Sequence, residues 1–216
     1  MEQLASHFLY VGVGLACTLE LLVGGLLISL ILGTLLSILR YSGVGCMFIK
    51  GFVSIIRGTP VILQLSLVYF TVPAFTGIKL STLSAGILTF GINSAAYVTE
   101  ILRGGIESLP KGQFEAAQTL GIPRFYTWKD IILPQVTKSV FPSMVGEVIA
   151  FLKETALIST IGGMDVMRAS QMLAAEQFTY FMPLCIAGIY YYTLVLLIEY
   201  IGKRVERAYD QNPPSA

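Results

Sequence analysis

The chain has 216 residues, of which 55% belong to the apolar and aromatic set and only 12% are charged. A soluble domain carries roughly 25% charged residues to cover its surface. This composition therefore excludes an ordinary cytosolic enzyme, a secreted disulfide scaffold and a disordered tail. The net charge of +1 offers no overall basic field for nucleic acid.

Cys17, Cys46 and Cys185 are far apart and set in apolar sequence, with neither zinc nor redox spacing, so they read as packing residues. His7 is the single histidine, which leaves no His-based triad and no His-ligated metal cluster. No catalytic or metal-binding residue is expected. Only Glu2 and His7 precede the first apolar stretch; without a basic leader region, that stretch reads as a retained membrane span.

A spanning helix needs about 20 mostly apolar residues. In chain order, five stretches qualify. Residues 8–39 carry one charge, Glu20. Residues 51–75 contain Arg57, Pro60 and Pro73. Residues 80–102 form the third. Residues 139–164 carry Glu147, Lys153 and Glu154. Residues 177–198 are uncharged and hold Tyr190, Tyr191 and Tyr192. Backbone groups in lipid must be satisfied internally, so these are helices, and the fold class is all-α integral membrane. The whole of 1–216 reads as one transmembrane domain.

Five spans put the termini on opposite sides. Arg40, Lys50, Arg103, Lys111, Arg124, Lys129, Lys138, Lys203, Arg204 and Arg207 fall on one side, against Lys79 and Arg168 on the other. Positive charge marks the cytoplasmic face. The N-terminus is then outside and the C-terminus inside. The tail from Asp210 to Ala216 reads as a frayed end.

Residues 103–138 are too long for a plain tether. Leu109-Pro110-Lys111-Gly112 is a turn, and Gln113 to Leu120 is helix-prone, with Glu115 in its first turn. Gly121 suits a C-terminal cap and Pro123 opens a second helix, expected to stop at Pro134. Two short helices should meet at a sharp angle around Gly121. Ala116 and Ala117 would leave a smooth surface beside Glu115, fit for a groove on another protein; a re-entrant loop packed on the bundle is the equal alternative.

Glu115-Ala116-Ala117, three residues, Gly121, nine residues, then Ile131-Ile132-Leu133-Pro134 resembles the EAA loop of bacterial ABC-importer membrane subunits of type I. Arg57-Gly58-Thr59-Pro60 with Gln64, the segment from Ala96 through Tyr97 to Ile106, Pro110-Lys111-Gly112-Gln113 and Leu152-Lys153-Glu154-Thr155 are similar to the polar amino-acid permeases, the histidine, glutamine and arginine uptake group. The resemblance covers about residues 10 to 208. It implies a multi-pass protein of the bacterial inner membrane that pairs with a second permease subunit, the same chain or a homologue. It further implies a cytoplasmic ATPase dimer gripping the loops and an extracytoplasmic solute-binding protein delivering substrate. Glu115, Ala116, Ala117, Gly121, Ile131, Leu133 and Pro134 would then couple to the ATPase.

The chain has no G-x4-G-K-[ST] phosphate cradle of its own. Gly12-Val13-Gly14 begins a dinucleotide-like pattern, but Cys17 stands where the third glycine belongs, so these glycines read as helix packing. The chain is expected to bind no cofactor and to be no enzyme; ATP and Mg belong to the partner. ATP-driven movement of the loops would rock the spans between outward- and inward-open states.

Ionisable groups within spans are costly, and are functional or paired. Glu147 and Glu154 share a helix face about 10 Å apart along the axis. Either they line the translocation path, or they form structural pairs with Arg57 or Lys153. Asn93 and Tyr97, and more weakly Thr59 and Gln64, are further path candidates. Glu100 is expected to pair with Arg103 or to be solvated. The small residues of span three and the face of span four are the expected dimer interface. A proton-coupled secondary carrier using the two carboxylates is the alternative, though no internal repeat accompanies it. An intramembrane hydrolase would need them closer and a nucleophile beside them. The substrate expectation is a polar L-amino acid, leaning to the basic ones.

Overall fold

The computed structural model describes residues 2–211, with side chains as far as residue 208. No strand occurs among the described residues. The helices are α1 (Glu2–Gly12), α2 (Leu15–Tyr41), α3 (Cys46–Gly58), α4 (Val61–Ser66), α5 (Val72–Thr76), α6 (Thr82–Glu107), α7 (Lys111–Thr119), α8 (Arg124–Tyr126), α9 (Leu133–Glu154), α10 (Val166–Gln177) and α11 (Phe181–Gln211). Wide π-turns join α4 to α5 and α8 to α9, and a 3-10 segment, Thr155–Ile161, follows α9.

The α2–α6 pair is the spine. Apolar side chains do not drive helices together in lipid, so close association depends on small residues and hydrogen bonds. Gly25 and Gly33 of α2 and Gly91 of α6 lie at this seam, and a Cβ on Gly91 would sit 2.8 Å from the Cβ of Ile28. The Ser29 hydroxyl donates to Ser94 Oγ at 2.9 Å, and Thr99 donates to the Gly33 carbonyl at 3.2 Å. Around the seam, Leu21, Leu65, Phe90, Phe151, Leu152 and Ile158 form the main core.

The first apolar stretch is interrupted. At Val13–Gly14 the backbone turns, because Gly14 presses against the backbone of Asp165, where no side chain fits. Helix α1 then packs on α10 and α11 through Val11, Val166, Leu173 and Ile186. Asp165 caps α10 by accepting the Arg168 N–H at 2.8 Å and takes the Tyr191 hydroxyl at 2.9 Å.

Three helical stretches are long and apolar enough to cross a membrane: Glu2–Tyr41, Thr82–Glu107 and Phe181–Ala208. The stretch expected at 51–75 is not one rod. It bends by 102° between Cys46–Gly58 and Val61–Thr76, and counts as a fourth crossing only as a bent pair. Pro60 has no N–H to give and forces Thr59 into extended backbone, φ −117° and ψ 143°, which ends α3.

Residues 139–164 do not form one apolar helix either. Helix α9 begins earlier, at Leu133, and gives way to the 3-10 segment at Thr155, which ends on Gly162 at φ +86°. Its charged residues keep it below the apolarity of a span. Contrary to expectation, Pro134 does not stop the second loop helix. The run from Arg124 to Glu154 is continuous, because the π-turn Thr127–Ile132 loosens the ladder where Pro134 lacks a donor. Helix α11 extends past 198 and carries Lys203, Arg204 and Arg207 on its final turns. The frayed end expected at 210–216 lies outside the described residues from 212 onward; 210 and 211 still belong to α11.

Candidate functional site

Two groups of candidate residues occupy different parts of the bundle. The first surrounds α7. Helix α7 ends in a Schellman motif: the Gly121 N–H donates to the Gln118 carbonyl at 3.1 Å and the Ile122 N–H to the Ala117 carbonyl at 3.0 Å. The motif needs a left-handed residue, and Gly121 supplies it at φ +69°. The chain reverses there into α8.

Glu115 and Ala116 are exposed, but Ala117 is buried. The smooth surface expected from both alanines is therefore Ala116 beside Glu115, with Ala117 on the inward face of the same turn. Further along, Leu120 and Phe125 are exposed to 77% and 69%, so this loop presents apolar groups outward. Of the distal motif, Leu133 is exposed, Ile131 and Pro134 are half-buried, and Ile132 is fully buried against Val136 and Val140.

The loop is fastened to the bundle by side chains that the motif does not include. Gln113 and Gln135 form a reciprocal amide pair, with N···O distances of 2.8 and 2.6 Å. Trp128 packs edge-on against Tyr41 of α2, centroids 4.7 Å apart, and against Phe114 of α7 at 5.9 Å. The signal for Gln135 would have been a lone amide just past Pro134 in an apolar run.

The second group lies among α2, α3, α4, α6 and α9. Three of the path candidates are joined. The Gln64 amide donates to Thr59 Oγ1 at 2.8 Å and to the Ile56 carbonyl at 2.8 Å, while Asn93 Nδ2 donates to Gln64 Oε1 at 3.1 Å. Asn93 is only 3% exposed, so this bond satisfies a buried amide. Glu147 belongs to a separate chain of bonds: the Ser94 hydroxyl donates to its Oε1 at 2.5 Å, and Ser29 donates to Ser94.

Glu154 is half-buried at the α9 terminus and makes no hydrogen bond or ion pair among the described residues. Neither carboxylate pairs with Arg57 or Lys153 there, so the structural ion pair is not what holds them. Tyr97 meets Arg57 instead, whose guanidinium lies 5.0 Å from the ring centroid. Glu100 gathers three arginines: it is ion-paired to Arg40, to Arg103 at 2.8 Å and, more loosely, to Arg57 at 3.9 Å. Arg103 was expected there; Arg40, 60 residues earlier, was not.

Outside the spans, burial pushes the Asp165 carboxyl above its ordinary value, although the hydrogen bonds from the Arg168 N–H and the Tyr191 hydroxyl oppose that rise. No cluster of three or more His, Cys, Asp or Glu capable of holding a metal occurs among the described residues.

Residues 25–211 match the family described as binding-protein-dependent transport system inner membrane component. The arginine transport system permease protein ArtQ of Bacillus subtilis (strain 168) is 44% identical over 201 residues, 92% of each chain. A protein of Rickettsia typhi, provisionally named glutamine transport system permease protein GlnP, is 44% identical over 202 residues, again 92% of each chain. Among solved structures, an amino acid ABC transporter crystallised with histidines matches with a TM-score of 0.88 and 30% identity, covering 95% of this chain and 97% of that one.

Proposed function

The chain belongs to the binding-protein-dependent transport system inner membrane components, and from that membership we propose that it is the permease subunit of an ABC importer for polar L-amino acids. It is a multi-pass protein of the bacterial inner membrane. Its relatives of 44% identity are named for arginine and glutamine, which supports the amino-acid class. The lean to basic substrates rests on carboxylates at Glu154 and Glu147, which can pair an ammonium or guanidinium. The family match leaves the proton-driven carrier without support.

The observation that carries the reading is the α7 loop: an exposed Glu115 and Ala116 at a Schellman turn, clamped to the bundle by Gln113–Gln135 and Trp128. In our reading this loop, with Glu115, Ala116, Ala117, Gly121, Ile131, Leu133 and Pro134, meets a cytoplasmic ATPase dimer. ATP and Mg stay with that partner, and this chain binds no cofactor. The one domain crosses the membrane five times, the bent α3–α5 pair and α9 with its 3-10 extension each counting once. The N-terminus is outside and the C-terminus cytoplasmic. A second permease subunit completes the pathway, and an extracytoplasmic binding protein delivers the solute.

The path residues of this reading are Glu154, Glu147, Asn93, Tyr97, Thr59 and Gln64. Glu154 is the residue with a free carboxylate to offer. The test is substrate-stimulated ATP hydrolysis in liposomes, with the cognate ATPase and binding protein and with arginine, lysine, histidine or glutamine. Stimulation by one amino acid, lost in Glu115→Arg, is the expected result. Uptake by this chain alone under a proton gradient would overturn the reading. Glu154→Ala reports whether that carboxylate reads the substrate.

A further inference from the structure

A polar cavity adjoins the Glu100 arginines and contains none of the path or loop candidates. It has a volume of about 420 Å³ and is bounded by Arg40 and Tyr41 at the end of α2, Cys46 and Lys50 of α3, and Arg103 and Glu107 at the end of α6. Arg40 and Arg103 are committed to Glu100, and Arg103 also to Glu107. Arg57 approaches the same Glu100. The cavity wall itself carries three cations, Arg40, Lys50 and Arg103, and one carboxylate, Glu107, with Glu100 behind the two arginines, and Lys50 has no ion-pair partner among the described residues. The cavity keeps an excess of positive charge.

Its position gives the excess a meaning. The cavity opens where α2 leaves the apolar layer, after 27 residues of helix, which at about 1.5 Å per residue spans a hydrocarbon core. Beside it, Met47 and Phe48 are exposed to 85% and 86%, and Val44 to 61%. Apolar side chains left uncovered next to a basic cleft fit neither a solvated loop nor a soluble anion site. They fit a ligand with an anionic head and apolar tails.

We propose that this cavity holds the phosphate of an anionic glycerophospholipid, with its acyl chains lying along Met47 and Phe48. Lys50 supplies the uncommitted cation, and Arg40 and Arg103, already aimed by Glu100, supply further N–H donors. Basic clefts between transmembrane helices at the headgroup level are suited to such recognition. The site requires only that α2 and α6 cross the membrane; the orientation decides which leaflet supplies the lipid. It is independent of substrate identity and of coupling to an ATPase.

The test is native mass spectrometry of the full-length chain in neutral detergent, titrated with phosphatidylglycerol, phosphatidylcholine or inorganic phosphate. Phosphatidylglycerol should be retained in preference to phosphatidylcholine. Lys50→Gln should weaken its retention about fivefold, the worth of one cation near an anionic surface, and Lys50→Arg should restore it. Equal retention of the two lipids, or an unchanged Lys50→Gln, overturns the proposal. Displacement by millimolar inorganic phosphate also overturns it, since the cavity would then be a free-anion site. A second measurement needs no substitution: phosphatidylglycerol should slow alkylation of the Cys46 thiol more than phosphatidylcholine does, and equal rates would count against the lipid.

Discussion

Ser94 and Glu147, 53 residues apart, are joined by a hydrogen bond of 2.5 Å from the serine hydroxyl to the carboxylate. It links α6 to α9, and through Ser29 it reaches α2. Ser94→Ala removes the donor. Polar bonds between membrane helices average about 0.6 kcal/mol, with a ceiling near 1.7. A loss within that range is expected, because the bond is short and joins two helices, and thermal unfolding in detergent measures it. Glu147→Gln keeps an acceptor for Ser94, so it should preserve the melting temperature. If Glu147 lines the path, that variant should still lose transport; unchanged transport would restrict Glu147 to a structural role.

Gln64 is the hub of the bond chain that includes Thr59 and Asn93. Gln64→Leu should leave the buried Asn93 amide without its acceptor, at a cost of about 1–3 kcal/mol. Adding Asn93→Leu should recover part of that loss, because two apolar groups then face each other. A double variant no more stable than Gln64→Leu would mean that the amide pair is not the source.

The Gln113–Gln135 pair should act on coupling rather than on the fold of the bundle. Each single change to Ala is expected to lower substrate-stimulated ATP hydrolysis by the partner. The double variant should be no worse than either single one. A coupling energy of about 1 kcal/mol from the cycle is expected. Strictly additive losses would mean that the two amides act separately.

Three glycines should respond according to the space a methyl group would meet and to their backbone conformation. Gly25→Ala drives a methyl group into the Phe151 ring and should destabilise by about 1–3 kcal/mol. Gly51→Ala in α3 meets nothing within 4 Å and should stabilise by about 0.5–1 kcal/mol through lost chain entropy. Gly121→Ala also has open space, but φ +69° is costly for any other residue, by about 1–2 kcal/mol. Melting temperatures of the three variants rank them directly.

Much of this was readable in advance, because hydropathy and spacing are local signals. The apolar runs at 8–39, 80–102 and 177–198 each contain a long helix, and Gly121 turns the chain where its type demanded. The bend at Thr59–Pro60 was written in a visible proline, but its angle depends on what α4 packs against. Pro134 was misread as a stop because a π-turn can absorb a missing donor, and nothing local announces one. The inward turn of Ala117 needed the helix phase. Arg40 with Glu100, Ser94 with Glu147 and Gln64 with Asn93 are pairings across tens of residues, which a single sequence does not encode in any local pattern.

The elbow at Thr59–Pro60 carries one more implication. Gln64 reaches back across it to the Ile56 carbonyl and sideways to Asn93 of α6. A single amide thus senses the angle between two arms and the distance to a third element. Opening the elbow by a few degrees must stretch one of these bonds before the other. Bending is thereby geared to sliding along α6, and the two motions cannot proceed independently while Gln64 keeps both grips.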